Sequence, residues 1–184
     1  MAKYAMVFDK RRCVGCNACV VACQQNYSMP PENKLNWVTV EEEGEFPNIK
    51  MDFVPQLCGH CENTPCVEIC PVEGATYKTK EGYVLVNEDL CIGCGACLKG
   101  CPYGARSINA ESNKAVKCTF CADIVENGGN PVCVNTCPTS ARIFGDLEDP
   151  ESEVSKLLAS GDLERYDVYI GNESEGINPN VYYK

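Results

Sequence analysis

The feature that most constrains this 184-residue chain is the spacing of its 16 cysteines. Cys91, Cys94, Cys97 and Cys101 read C-x2-C-x2-C-x3-C and are followed by Pro102. A run of this form holds a [4Fe–4S] cube. Three thiolates on a tight loop grip three irons, and the fourth, ahead of a proline, ligates the other cluster of a pair. Gly93 and Gly95 let the loop close around an inorganic core without a Cβ in the way. Cys13, Cys16, Cys19 and Cys23 repeat the spacing. Cys58, Cys61, Cys66 and Cys70 stretch the second gap to four residues, and Cys118, Cys121, Cys133 and Cys137 stretch it to eleven. These motifs, I to IV in chain order, use every cysteine and have room for four [4Fe–4S] clusters. A disulfide framework does not need this spacing, and zinc sites pair two C-x2-C units without the C-x3-C-P ending.

The formal charge is −10 before any metal is counted. Four oxidised cubes with their thiolates would add about −8. Such a surface repels nucleic acid and anionic lipid headgroups. No run of 18 apolar residues is present, which gives no reason to expect direct membrane insertion. The first residues lack a signal-peptide pattern, and Arg11-Arg12 does not precede an apolar stretch. A core this inorganic implies folding coupled to cluster insertion.

The hydrophobic pattern gives a strand at 4–8, a helix over 17–27 carrying Cys19 and Cys23, and a hairpin of 37–41 with 49–54. Pro65 starts a short helix. Two more hairpins follow, 77–80 with 83–86 and 106–109 with 115–117. The insert of motif IV, 122–132, reads as a helix ending at Gly128-Gly129, and 143–145 as a closing strand. The repeats are 4–34, 49–80, 82–111 and 112–145. Only 20 residues separate motifs II and III, so they form one module. The unpaired first and last strands then bring I and IV together. Exchange of fourth ligands gives Cys13, Cys16, Cys19 with Cys137; Cys58, Cys61, Cys66 with Cys101; Cys91, Cys94, Cys97 with Cys70; and Cys118, Cys121, Cys133 with Cys23. The expected fold is α+β, two ferredoxin-like modules.

The motif order resembles the iron–sulfur electron-transfer subunits of molybdopterin oxidoreductases, above all the B subunits of polysulfide, thiosulfate and dimethyl-sulfoxide reductases. The resemblance is carried by Pro65 before Cys66, by Lys117-Cys118-Thr119-Phe120-Cys121, by Phe144-Gly145-Asp146-Leu147-Glu148-Asp149-Pro150 and by Val181-Tyr182-Tyr183. It implies two modules related by a pseudo-twofold and a partner carrying a bis-pterin molybdenum or tungsten centre. A membrane subunit handling quinol often completes such complexes. Cys94 retains a cysteine where nitrate reductase beta subunits have tryptophan, so four cubes are expected rather than one [3Fe–4S]. It also implies co-export to the outer, periplasmic face of the cytoplasmic membrane, the alternative being a cytoplasmic complex. A free-standing polyferredoxin is the rival reading.

No catalytic constellation is visible. His60, the one histidine, is either a packed ring or a donor to a cluster sulfur. Trp37 reads as a packing residue and Glu41–Glu43 as a solvated turn. Arg11, Arg12 and Lys117 tune clusters, dock a partner or are simply solvated. Beyond Gly145 no cysteine remains. Asp149 or Ser152 caps a helix through Ser160, stopped by Gly161. The segment 146–184 carries Leu157, Leu158, Tyr166, Tyr169, Val181, Tyr182 and Tyr183. It is expected to bind a partner, with Tyr182 and Tyr183 as anchors, or else to strap the chain's own core.

Overall fold

A computed structural model describes residues 3–166 and 176–184; Tyr169 lies outside them. β1 (Tyr4–Phe8) leads through a single 3-10 turn into motif I, whose last two cysteines ride on α1 (Ala18–Asn26). A long hairpin follows, β2 (Asn36–Glu43) and β3 (Lys50–Leu57), and then α2 (Pro65–Glu68) with Cys66. The next repeat is smaller: β4 (Thr76–Lys78), β5 (Val84–Val86) and α3 (Ala96–Lys99) with Cys97. The last is β6 (Ser107–Asn109), β7 (Lys114–Val116), α4 (Ala122–Val125) and α5 (Val132–Asn135) with Cys133. Then come β8 (Arg142–Asp146), α6 (Glu153–Ala159), β9 (Glu164–Arg165) and β10 (Val181–Tyr183).

Helices α2 to α5 are four residues each, far below the ~12–15 at which an isolated helix is even marginal in water. Tertiary contacts must hold them. The single helix expected over 122–132 is instead two. Gly129 N–H bonds to Ile124 O at 3.0 Å and Gly128 N–H to Val125 O at 2.9 Å, with Gly128 at φ +80°. That is a Schellman closure. Pro131 cannot continue a helix but can start one, and it caps α5.

A four-stranded sheet, ordered β8-β1-β10-β9, ties the ends of the chain together. β1 and β8 pair antiparallel from Tyr4↔Asp146 to Phe8↔Arg142, the pairing expected of the first and last strands. β10 lies parallel to β1 on its other side, from Met6↔Val181 to Phe8↔Tyr183. Both faces of β1 are covered. Met6 and Phe8 face the core that contains the cysteine loops, while Ala5 and Val7 face Val154 of α6. This two-sided burial explains why Tyr4–Phe8 reads as a continuous apolar run rather than an alternating one. α6 is capped by Ser152, which accepts from Ser155 N–H at 3.1 Å, and it ends at Gly161 with φ +75°.

The described parts of the tail, 146–166 and 176–184, pack on the chain's own sheet and core. Tyr182 is 8% exposed and Tyr183 1%, so both rings pack within the chain rather than standing out as the expected anchors. Burial won because β10 has a strand edge to pair with. Tyr183 O–H donates to Pro55 O at 2.7 Å and its ring lies 5.4 Å from Phe8. Tyr166 is also buried, stacked 4.7 Å from Tyr103.

Replacing Tyr183 by alanine should therefore cost stability of about 3–5 kcal/mol, and Tyr183→Phe about 1–2 kcal/mol from the lost buried bond to Pro55. Thermal unfolding measures both. An alanine variant of unchanged stability that fails only to hold a partner would restore the external-anchor reading.

Candidate metal centres

In every motif the residue before the second cysteine has left-handed backbone: Gly15 at φ +65°, His60 at +44°, Gly93 at +69° and Phe120 at +56°. This bend curls the loop so that successive thiols face one cavity. At Gly93 a Cβ would meet Asn113 O at 2.2 Å, so here the glycine is demanded by the β6–β7 turn as well as by its φ. Gly95 has φ +72° with open space around it.

One cavity is lined by Cys13, Cys16, Cys19 and Cys137. A second is lined by Cys58, Cys61, Cys66 and Cys101, and a third by Cys91, Cys94, Cys97 and Cys70. Cys118, Cys121, Cys133 and Cys23 are all buried and close enough to act on one another electrostatically. The structure thus brings together the four sets expected from the sequence. The helices that carry or lead into the exchanged cysteines, Cys23 on α1 and Cys70, Cys101 and Cys137 just past α2, α3 and α5, pack in pairs, α1 on α5 and α2 on α3.

The thiols surround space rather than a point. Among the described residues, no three histidine, cysteine or acidic side chains gather to hold a single ion. Burial pushes the Cys23 thiol up to about 12, with Cys133 and Cys121 adding to it. Burial likewise raises Cys19, Cys61, Cys66, Cys101, Cys118 and Cys133. These cysteines hold their protons until a metal displaces them, so iron binding releases protons. At Cys137 burial also acts upward, but donors from Thr139 and the Ala141 and Arg142 backbone outweigh it and the net shift is down. Ala115 N–H, Phe120 N–H and Ala141 N–H point at Cys91, Cys118 and Cys137 sulfurs, at 3.4, 3.4 and 3.3 Å.

Three buried cations stand among these sulfurs. Arg106 is 6% exposed, Lys117 4% and Arg142 3%. Arg106 Nη2 donates to Cys66 Sγ at 3.1 Å, while its Nε has no acceptor. Arg142 lines the Cys13 cavity and gives Nη2 to Asn36 Oδ1 at 3.0 Å, while its Nη1 has no acceptor. The orphaned donors fit an anionic inorganic group, which the protein atoms alone do not supply. The sequence picked out Lys117 but missed both arginines. A signal was available: each lies five residues after the last cysteine of its motif, in Cys101-Pro102-Tyr103-Gly104-Ala105-Arg106 and Cys137-Pro138-Thr139-Ser140-Ala141-Arg142. Arg11, by contrast, is exposed and pairs with Asp9 at 3.0 Å, and Arg12 is exposed.

His60 is a packed ring. Its Nδ1 accepts from Val84 N–H at 3.0 Å, so Nε2 carries the hydrogen and donates to Cys118 O at 3.0 Å. Burial and the Lys117 charge hold its pKa well below the usual histidine range, so it is neutral. It stacks on Phe120 at 3.8 Å and 19°. Motifs II and IV thus meet through their matching left-handed residues. Trp37 is half-buried against the same core.

Two family profiles, each described as a 4Fe-4S dicluster domain, match residues 49–147 and 12–75. The B subunit of tetrathionate reductase from Salmonella typhimurium is 40% identical over 186 residues, covering 98% of the present sequence and 72% of that protein. The B subunit of polysulfide reductase from Wolinella succinogenes is 39% identical over 183 residues, covering 98% and 93%. The putative iron–sulfur B subunit of dimethyl sulfoxide reductase from Halobacterium salinarum is 38% identical over 213 residues, covering 100% and 79%. With two 4Fe–4S dicluster domains on a mixed α and β scaffold, the protein belongs to the family of iron–sulfur B subunits of molybdopterin-type reductases, the electron-transfer subunits of reductase complexes.

Proposed function

We propose that the chain is a non-catalytic relay of four [4Fe–4S] clusters, in two modules related by a pseudo-twofold, serving a molybdopterin catalytic subunit. The observation that carries this reading is the sorting of 16 cysteines into four sets of four, each with one member from another motif. Each cube would take up and pass on one electron. The protein's share is to hold the cubes, keep water away and set their potentials.

The packing supports one order for the relay. The Cys13 and Cys118 sets exchange ligands, as do the Cys58 and Cys91 sets. His60, between Cys58 and Cys61, reaches Cys118 O. The order is then Cys13 set, Cys118 set, Cys58 set, Cys91 set. Cys16 and Cys94 are the two exposed cysteines, and they sit in the two outer sets, where electrons would enter and leave. Val14 and Ile92, both exposed, flank these ends and suit docking of apolar partner surfaces. The pseudo-twofold is supported by His60 stacking on Phe120 and by Arg106 matching Arg142. One end would meet the catalytic subunit and the other a quinol-handling membrane subunit. Among the described residues no helix is long and apolar enough to cross a membrane. The assembly would be carried folded to the outer face of the cytoplasmic membrane by the partner's signal.

Iron and sulfide analysis of anaerobically prepared protein should give about four [4Fe–4S] per chain. Cys23→Ser should produce the same EPR loss as Cys118→Ser; a spectrum that instead matches Cys13→Ser would contradict the ligand exchange. A tagged chain should co-elute with a large pterin-bearing protein. Elution alone, with four clusters, would favour a free-standing carrier.

A further inference from the structure

Among the described residues, the three buried cations have no carboxylate partners. The ion pairs seen there are Lys3–Glu62, Arg11–Asp9, Lys50–Asp52 and Lys156–Glu151, all with at least one exposed member. An uncompensated buried charge is strongly unfavourable, so each of these cations needs a counter-charge.

Their positions are not random. Arg142 lines the cavity of the Cys13 set, and its strand β8 packs on α5, the helix that carries Cys133 of the Cys118 set. Lys117 donates to Cys118 O at 2.6 Å, the carbonyl that also receives His60 Nε2–H from the Cys58 loop. Arg106 lines the cavity of the Cys58 set and bonds Cys66 Sγ; its Nη1 lies 3.5 Å from Thr76 Oγ1, which lines the cavity of the Cys91 set. Each cation therefore reaches two sets, and the three pairs of sets are the three consecutive gaps of the relay.

We propose that Arg142, Lys117 and Arg106 are interstitial cations, one in each gap between consecutive clusters, and that each raises the reduction potential of the two clusters it separates. The proposal rests on the four-cluster reading above. A reduced cube with its thiolates carries one more negative charge than an oxidised cube. A fixed cation beside it favours the reduced form. A cation between two cubes also screens one from the other, so that an electron on the first opposes less the arrival of an electron on the second.

The test is a potentiometric EPR titration of the purified complex, with signals assigned through single cysteine-to-serine variants. Arg142→Gln should lower the midpoints of the Cys13 and Cys118 sets, Lys117→Gln those of the Cys118 and Cys58 sets, and Arg106→Gln those of the Cys58 and Cys91 sets. The expected size is at least tenfold in the reduction equilibrium, about 59 mV for a one-electron couple. Arg142→Lys and Arg106→Lys, which keep the charge, should leave the midpoints close to those of the unaltered protein. Unmoved midpoints in glutamine variants that retain all clusters would overturn the proposal, as would equal shifts in all four. If a glutamine variant loses clusters, retention of four by the charge-keeping variant (Arg142→Lys, Arg106→Lys or Lys117→Arg) supports it, and loss by both overturns it. Fewer than four cubes in the unaltered protein would instead sink the four-cluster reading beneath it.

Discussion

A thiolate cannot sit inside a protein without a counter-charge, and all but two of the 16 thiols here are at least partly withdrawn from water. Three buried cations answer part of that charge, and iron would answer the rest. The protein fold and the inorganic centres are thus one electrostatic system. This is why one-turn helices are tolerated at four places: each is pinned by a cysteine at or beside a cavity wall, not by its own hydrogen bonds.

The sheet answers a different need. The proposed exchange of ligands between motifs I and IV would demand that residues more than a hundred positions apart meet, and β1 against β8 brings the two motifs together. β10 then locks β1 from the other side, and Tyr183 and Tyr166 carry the strap into the aromatic core beside the Cys58 loop. At the junction of the two halves Tyr4 stacks between Tyr83 and Phe144, 5.4 and 5.3 Å away. His60 and Phe120 sit in backbone conformations that bulky residues rarely adopt. Tertiary contact sustains that strain, since each ring is held by the other.

Much of this is legible in the residues themselves. Spacing alone sorts the cysteines into four motifs, because each cysteine run encodes a local loop geometry. The short strands and hairpins are legible for the same local reason. What escapes is long-range. Arg106 and Arg142 look like ordinary strand residues until the fold shows that no acid among the described residues faces them. His60 lies inside a motif, yet its two partners, Val84 and Cys118, come from other repeats. The apolar content of the tail says that it needs cover, but sequence does not say which surface provides it. Tyr182 and Tyr183 turn inward because β1 still has an open edge.

The central claim is that one polypeptide threads four cubes into a single row by swapping the fourth ligand of each. Anomalous diffraction at the iron edge tests it most directly. The account predicts four iron sites in the order Cys13 set, Cys118 set, Cys58 set, Cys91 set, with Cys23 bonded to the second and Cys137 to the first. Iron bonded to Cys23 and Cys13 in the same cube, or any other order of sites, would contradict it.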